Sequence, residues 1–154
     1  MDEQKLIDIV EAVTRGVTNS ISLDAAKRLA AKVEAKAKEI GVNAVVAISN
    51  TGARPILVES MDDAFIASYD VALNKAYTVV ALKMSTIELK PLAQPGGSLY
   101  GIQFTNDSKI VVFGGGDPLK HNGRIIGGLG VSGGTEEQDT YLSAYGASIV
   151  EQIL

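Results

Sequence analysis

The chain contains no cysteine, which excludes disulfides, thiolate metal centres, iron–sulfur clusters and cysteine nucleophiles together. It has a single histidine, His121, so no multi-histidine metal site can be assembled. Tryptophan is absent, and no stretch approaches the ~18 uninterrupted apolar residues of a spanning helix. The opening Met1-Asp2-Glu3-Gln4-Lys5 lacks the basic start, long apolar run and small-residue cleavage site of an export signal, so the expected location is the cytoplasm, with no membrane partner. A net charge of -4, with lysines dispersed rather than clustered, opposes nucleic-acid binding, which needs concentrated Lys and Arg. What is present is apolar: 46% hydrophobic residues and a mean hydropathy of +0.17. That is high for a small soluble monomer and points to surface covered by another copy. At 154 residues the chain reads as one domain over 1–154, with 1–20 a leading helix and linker.

Leu6, Ile7, Ile9, Val10 and Val13 share a helical stripe ending at Gly16. Ser22 is placed to cap a second helix, whose buried face is Ala26, Ala30, Val33, Ala37 and Ile40, stopped by Gly41. Val42–Ser49 and Arg54–Ser60 read as a hairpin, with Pro55 confining the second strand to an edge or to one-sided pairing. From Ala64 to about Met84 the pattern is helical, with Ile66, Leu73, Ala76, Tyr77 and Val80 expected on the core side. Ser85-Thr86-Ile87-Glu88 and Thr135-Glu136-Glu137-Gln138 are capping-box sequences, the second opening a terminal helix. Ile110–Phe113 reads as a buried strand, and Asn122-Gly123 as a type I′ turn joining Leu119–His121 to Arg124–Val131. About five antiparallel strands with helices before, between and after them predict an α/β/α sandwich.

Several segments then line up in order: Lys75-Ala76-Tyr77-Thr78, Gln94-Pro95-Gly96-Gly97, Leu99-Tyr100-Gly101, Ile110 to Pro118 with its Gly114-Gly115-Gly116, and Gly130-Val131-Ser132-Gly133-Gly134-Thr135-Glu136-Glu137-Gln138-Asp139. This ordered set resembles the GlcG/HbpS/PduO-C-terminal family over roughly Ser22 to Ala147. The resemblance implies a profilin-like sandwich around a five-stranded antiparallel sheet. It also implies an accessory protein of glycolate, diol or ethanolamine metabolism, with heme or another tetrapyrrole as the ligand and an even-order homo-oligomer as the assembly. One family branch is fused to a cobalamin adenosyltransferase. That activity belongs to a separate helical bundle and is not expected of this chain.

Gly128-Leu129-Gly130-Val131-Ser132-Gly133 satisfies G-x-G-x-x-G, yet no second parallel strand or distant acid follows it, so it is not a dinucleotide fingerprint. Ser132, Gly133 and Gly134 still precede a helix, where backbone N–H groups can receive an anion; close strand–helix packing is the competing account. Three consecutive glycines, Gly114, Gly115 and Gly116, are costly to order unless something approaches their backbone closely, or a bulge requires them. Gln94, Gly96, Gly97 and Tyr100 form a further loop with an aromatic platform. Lys75 is either a counter-charge for an anionic ligand or a solvated helix lysine; it diverges from Tyr77 by about 200° around the helix. His121 lies beside an exposed turn and is either a surface residue or a heme ligand. Where heme-binding relatives carry a histidine near the first long helix, this chain has Ser20, Ser22, Lys27 and Arg28. The candidate ligand-binding set is therefore Lys75, the Gln94–Tyr100 loop, the three glycines and Ser132–Gly134, with no catalytic residue assigned. A small enzyme acting on a hydroxy acid, aldehyde or diol-derived metabolite, using Lys75 and Asp139, and a structural partner of an enzyme complex are the alternatives.

Overall fold

Four antiparallel strands in the order β2-β1-β4-β3 form the sheet: β1 Val45–Ser49, β2 Pro55–Ser60, β3 Gly116–His121 and β4 Arg124–Ser132. The computed structural model describes residues 1–17 and 20–154. The inner strand β1 is buried along its whole length, and its alternation divides two cores. Val46 and Ile48 join Leu129 and Val131 of β4 against helices α2 (Leu23–Glu39) and α5 (Glu136–Ile153). Val45 and Ala47 face the other way, onto Ala72 and Ala76 of helix α3 (Ile66–Ala81). Helices therefore cover both faces of an antiparallel sheet.

The sheet has four strands, not the expected five. Ile110–Phe113 belongs to no strand of the sheet. Its Val111 N–H donates instead to the Thr78 hydroxyl at 3.0 Å, so this stretch runs along α3 and enters the sheet only at Gly116. β-branched composition indicated extension, and a helix side chain took the place of a ladder partner. The prolines behave as expected of edges. Pro55 lies in β2 and Pro118 in β3, the two outer strands.

The three caps hold the helix starts, although among the described residues Glu88 returns no bond to Ser85, so that box is half formed. The Ser22 and Ser85 hydroxyls accept from the N–H groups of Ala25 and Glu88, and Thr135 with Gln138 forms a reciprocal box. Gly41, at φ +76°, follows the end of α2, and Asn122 and Gly123, at φ +50° and +76°, turn the β3–β4 hairpin. Helix α1 (Glu3–Val17) runs past the expected stop at Gly16, and Leu6, Ile7, Ile9, Val10 and Val13 are all exposed on it.

The face of α3 matches the expectation at Ala76, with Leu73, Tyr77 and Val80 half-buried, but otherwise differs from it. Ile66 is 96% exposed, and the buried residues are Ser68, Ala72, Lys75, Ala76, Thr78 and Val79. The reason is in β4. A Cβ on Gly130 would lie 2.0 Å from the Ala72 carbonyl oxygen, and one on Gly128 would lie 2.5 Å from that of Ala76. Alternate glycines on the strand meet alanines one turn apart on the helix, so the two backbones approach where larger side chains would hold them apart. Two of the three G-x-G-x-x-G glycines thus serve packing.

Candidate functional site

A buried ion pair organises one end of the sheet. Lys75, fully buried on α3, donates to the Val131 carbonyl at 2.7 Å and to Asp139 Oδ2 at 3.3 Å, and its ammonium lies 5.0 Å from the centre of the Phe113 ring. Asp139, in the first turn of α5, also accepts from the Gly134 N–H at 2.8 Å. Burial pushes the Lys75 amine below its ordinary range and the Asp139 carboxyl above its own, each opposed by the charge of the other. Neither ion has another charged side chain at contact distance among the described residues, so each is the condition for the other's charge.

The three glycines are explained by this pair. Gly115, at φ +116°, passes so close that a Cβ would sit 2.4 Å from Lys75 Nζ, and a Cβ on Gly114 would sit 2.0 Å from Thr140 Oγ1. Gly116 is held against Thr86 and Val79 in the same way. What approaches this backbone is the protein's own lysine and the two helices beside it. The strap is tied as well: Gly114 N–H donates to Glu136 and Gly116 N–H to the Thr86 hydroxyl, while the Gly115 carbonyl accepts from Val131 N–H. Glu136 also pairs with Lys90 of helix α4 (Thr86–Leu92), and these two partners hold its carboxyl below the ordinary range. Backbone donors at Gly114, Gly116 and Gly134 are therefore already engaged.

Over this assembly lies a cleft of about 280 Å³ lined by Phe65, Ala67, Ser68, Val71, Phe113, Ser132, Gly133, Gly134, Glu136 and Asp139. Its walls are mostly apolar, and Phe65 stands 71% exposed at the rim. Ser132, Gly133 and Gly134 line the cleft, and Lys75 sits behind Phe113 and Asp139. Gln94, Gly96, Gly97 and Tyr100 do not line it. Their backbone bonds stay within their own loop and the end of α4, and Tyr100 is exposed. His121 ends β3, five residues from Gly116 and so about 16 Å along the strand. There it faces Glu151 at 3.5 Å. Met61 accepts from the Ala44 N–H through its sulfur at 3.3 Å. No cluster of three or more metal-ligating side chains occurs among the described residues, and no helix is long and apolar enough to cross a membrane.

Ala67, Ser68 and Val71 were not singled out in the sequence, Phe65 stood out there only as apolar surface for contact with another copy, and Glu136 only as part of a capping box. Phe65 and Ala67 carried a weak signal: they are apolar or small positions at the start of a helix whose core face lies elsewhere.

The profile described as haem degrading protein HbpS-like matches residues 21–148. The chain belongs to the HbpS-like family. It is 52% identical over 124 residues to an uncharacterised 15.0 kDa protein in the dhaT-dhaS intergenic region of Citrobacter freundii, a match covering 80% of this chain and 87% of the relative. It is also 37% identical over 137 residues to the corrinoid adenosyltransferase PduO of Citrobacter freundii, covering 89% of this chain but only 41% of that protein. Among solved structures, the PduOC:heme complex superposes with a TM-score of 0.80 at 36% identity, over 84% of this chain and 94% of that one. The HbpS-like family thus contains heme-binding members and PduO-type relatives.

Proposed function

We propose that this protein is an accessory ligand-binding protein that holds heme or a related tetrapyrrole in the Phe65–Phe113 cleft, in the cytoplasm and as an even-order homo-oligomer. The observation that carries the reading is an apolar, aromatic-walled cleft on a chain similar to the PduOC:heme complex over nearly that complex's whole length. The lining fits a flat apolar ring, with Phe65 and Phe113 available for stacking. It does not fit ligation of heme iron by histidine, because no imidazole, thioether or phenol lines it. When bound, heme would supply redox chemistry, while this chain's residues would bind and orient it. Lys75 would keep the floor rigid rather than touch the ligand, since its ammonium is fully buried beside Phe113, while Asp139 lines the floor of the cleft.

The volume supports a role for a second copy. About 280 Å³ lies below the roughly 300–1,000 Å³ of pockets that enclose a ligand on most sides. A tetrapyrrole would project from it, next to the exposed Phe65 and Ile66, and a neighbouring copy would cover both. The family resemblance supports placing the protein with glycolate-, diol- or ethanolamine-type metabolism.

Absorbance titration with hemin tests this. A saturable Soret shift at micromolar protein is expected, with an unaltered band and affinity in His121→Ala, because His121 stands at the far end of β3. No saturable shift would remove heme as the ligand; loss of the band in His121→Ala would move it to the hairpin end.

A further inference from the structure

The opposite end of the sheet carries a second cavity, of about 390 Å³, lined by Ser49, Gly52, Ala53, Arg54, Pro55, Leu73, Asn74, Tyr77 and Lys109. It lies between the β1–β2 turn and the outer side of α3. β1 begins beside Ser132, at the heme cleft, and ends at Ser49, in this cavity. The two sites are therefore separated by the length of a strand.

We propose that this cavity binds a small organic anion, a carboxylate or phosphate monoester, between Arg54 and Lys109. The chain carries a net charge of -4, yet two cations converge here and no carboxylate is in the lining. Neither Arg54 nor Lys109 has an ion-pair partner among the described residues. Asp70 lies one helical turn before Asn74 and Asp107 two residues before Lys109, and both lie outside the lining. Two unpaired cations at one concavity repel each other, and an anion between them relieves that repulsion.

Neutral groups complete the site. Among the described residues the Asn74 side-chain amide has no hydrogen-bond partner, while its backbone carbonyl accepts from the Thr78 hydroxyl. The Tyr77 hydroxyl accepts from Asn106 Nδ2 at 3.1 Å, which leaves its own proton to donate elsewhere. Lys109 is anchored through its carbonyl, which accepts from Thr78 Oγ1 at 3.2 Å, and its ammonium lies 5.5 Å from the Tyr77 ring centre. The turn contributes shape rather than backbone donors, since the N–H groups of Gly52 and Arg54 are held by Asn50 Oδ1 and that of Ala53 by the Asn50 carbonyl. Leu73 and Pro55 leave an apolar wall for the carbon part of the anion.

The loop that delivers Lys109 is strained. Asn106, Asp107 and Ser108 take φ of +52°, +55° and +61°, three successive non-glycine residues in the left-handed region. Such conformations persist where surrounding contacts enforce them, and they concentrate at ligand sites.

Isothermal titration of the purified protein at low salt with inorganic phosphate, glycerol 3-phosphate and succinate tests the assignment. At least one is expected to bind saturably in the submillimolar range. Arg54→Ala and Lys109→Ala should each weaken it by roughly tenfold, the size of one lost charge-assisted hydrogen bond. Both side chains are exposed, so the fold should be unaffected. Succinate alone binding would assign a carboxylate, and the phosphates alone a phosphate ester. Absence of saturable binding by all three, or binding unchanged in both variants, would overturn the proposal. Hemin binding in Arg54→Ala should equal that of the native protein, so this site and the heme cleft succeed or fail separately.

Discussion

Lys75→Ala is expected to lower stability by about 3–5 kcal/mol, because it leaves Asp139 as a buried carboxylate without its counter-ion. Against a total of roughly 5–15 kcal/mol for a domain of this size, that is a large fraction. The lysine is fully buried and bridges three elements: α3 through its own backbone, β4 through the Val131 carbonyl and α5 through Asp139. Truncation also opens a void beneath Phe113 and Gly115. Urea unfolding of Lys75→Ala, Asp139→Asn and the double variant Lys75→Met/Asp139→Asn would resolve the pair from its surroundings. The double variant should recover much of the loss, since it removes both charges at once. A single-variant effect below about 1 kcal/mol would mean that water or another group already balances Asp139.

Gly130→Ala is expected to cost about 3 kcal/mol or more, at the upper end of overpacking effects, while leaving surface chemistry untouched. The added Cβ would lie 2.0 Å from the Ala72 carbonyl oxygen and 2.7 Å from the Ala76 nitrogen, both in the backbone of α3. No side-chain rotation relieves a clash with backbone. The helix would have to lift from the sheet, disturbing Val45, Ala47 and the Lys75 bridge together. The same substitution separates two readings of the glycine-rich segment. If Gly130 cradled a ligand, Gly130→Ala would keep its melting midpoint and lose binding. If it serves packing, the midpoint falls by several degrees.

Local signals in the sequence were reliable where local chemistry decides the outcome. Ser22, Ser85 and Thr135 cap as their types and positions require, and Asn122-Gly123 turns as its φ values demand. The Ile110–Phe113 strand was not legible, because extension is a local property whereas ladder pairing is not: Thr78 of α3 takes up the Val111 N–H. The face of α3 was hidden for a related reason. Its neighbours on the sheet are glycines, so its buried side became Ser68, Ala72 and Ala76, while Ile66 remained outside.

The candidate site was partly legible. Lys75, Gly114–Gly116 and Ser132–Gly134 converge at one end of the sheet. Lys75 stands out only as a lysine in a run of apolar positions, and its partner Asp139 lies 64 residues later. The Gln94–Tyr100 loop is glycine-rich for its own turns, with Gly96 and Gly101 at φ +87° and +97°, and it stays apart from the cleft. Arg54 and Lys109 gave no signal at all. They line one cavity only because the β1–β2 turn and the segment after the left-handed loop both border it beside Tyr77.

The most direct test of the account is hemin titration of Ala67→Trp beside the native chain. Ala67 is exposed, lines the cleft and lies in the first turn of α3, so an indole there fills the space without entering either core. An unchanged melting midpoint is expected, with hemin affinity reduced by about tenfold or more, the equivalent of at least ~1.4 kcal/mol of lost contact. Hemin bound by Ala67→Trp as tightly as by the native protein would contradict the placement of the ligand between Phe65 and Phe113.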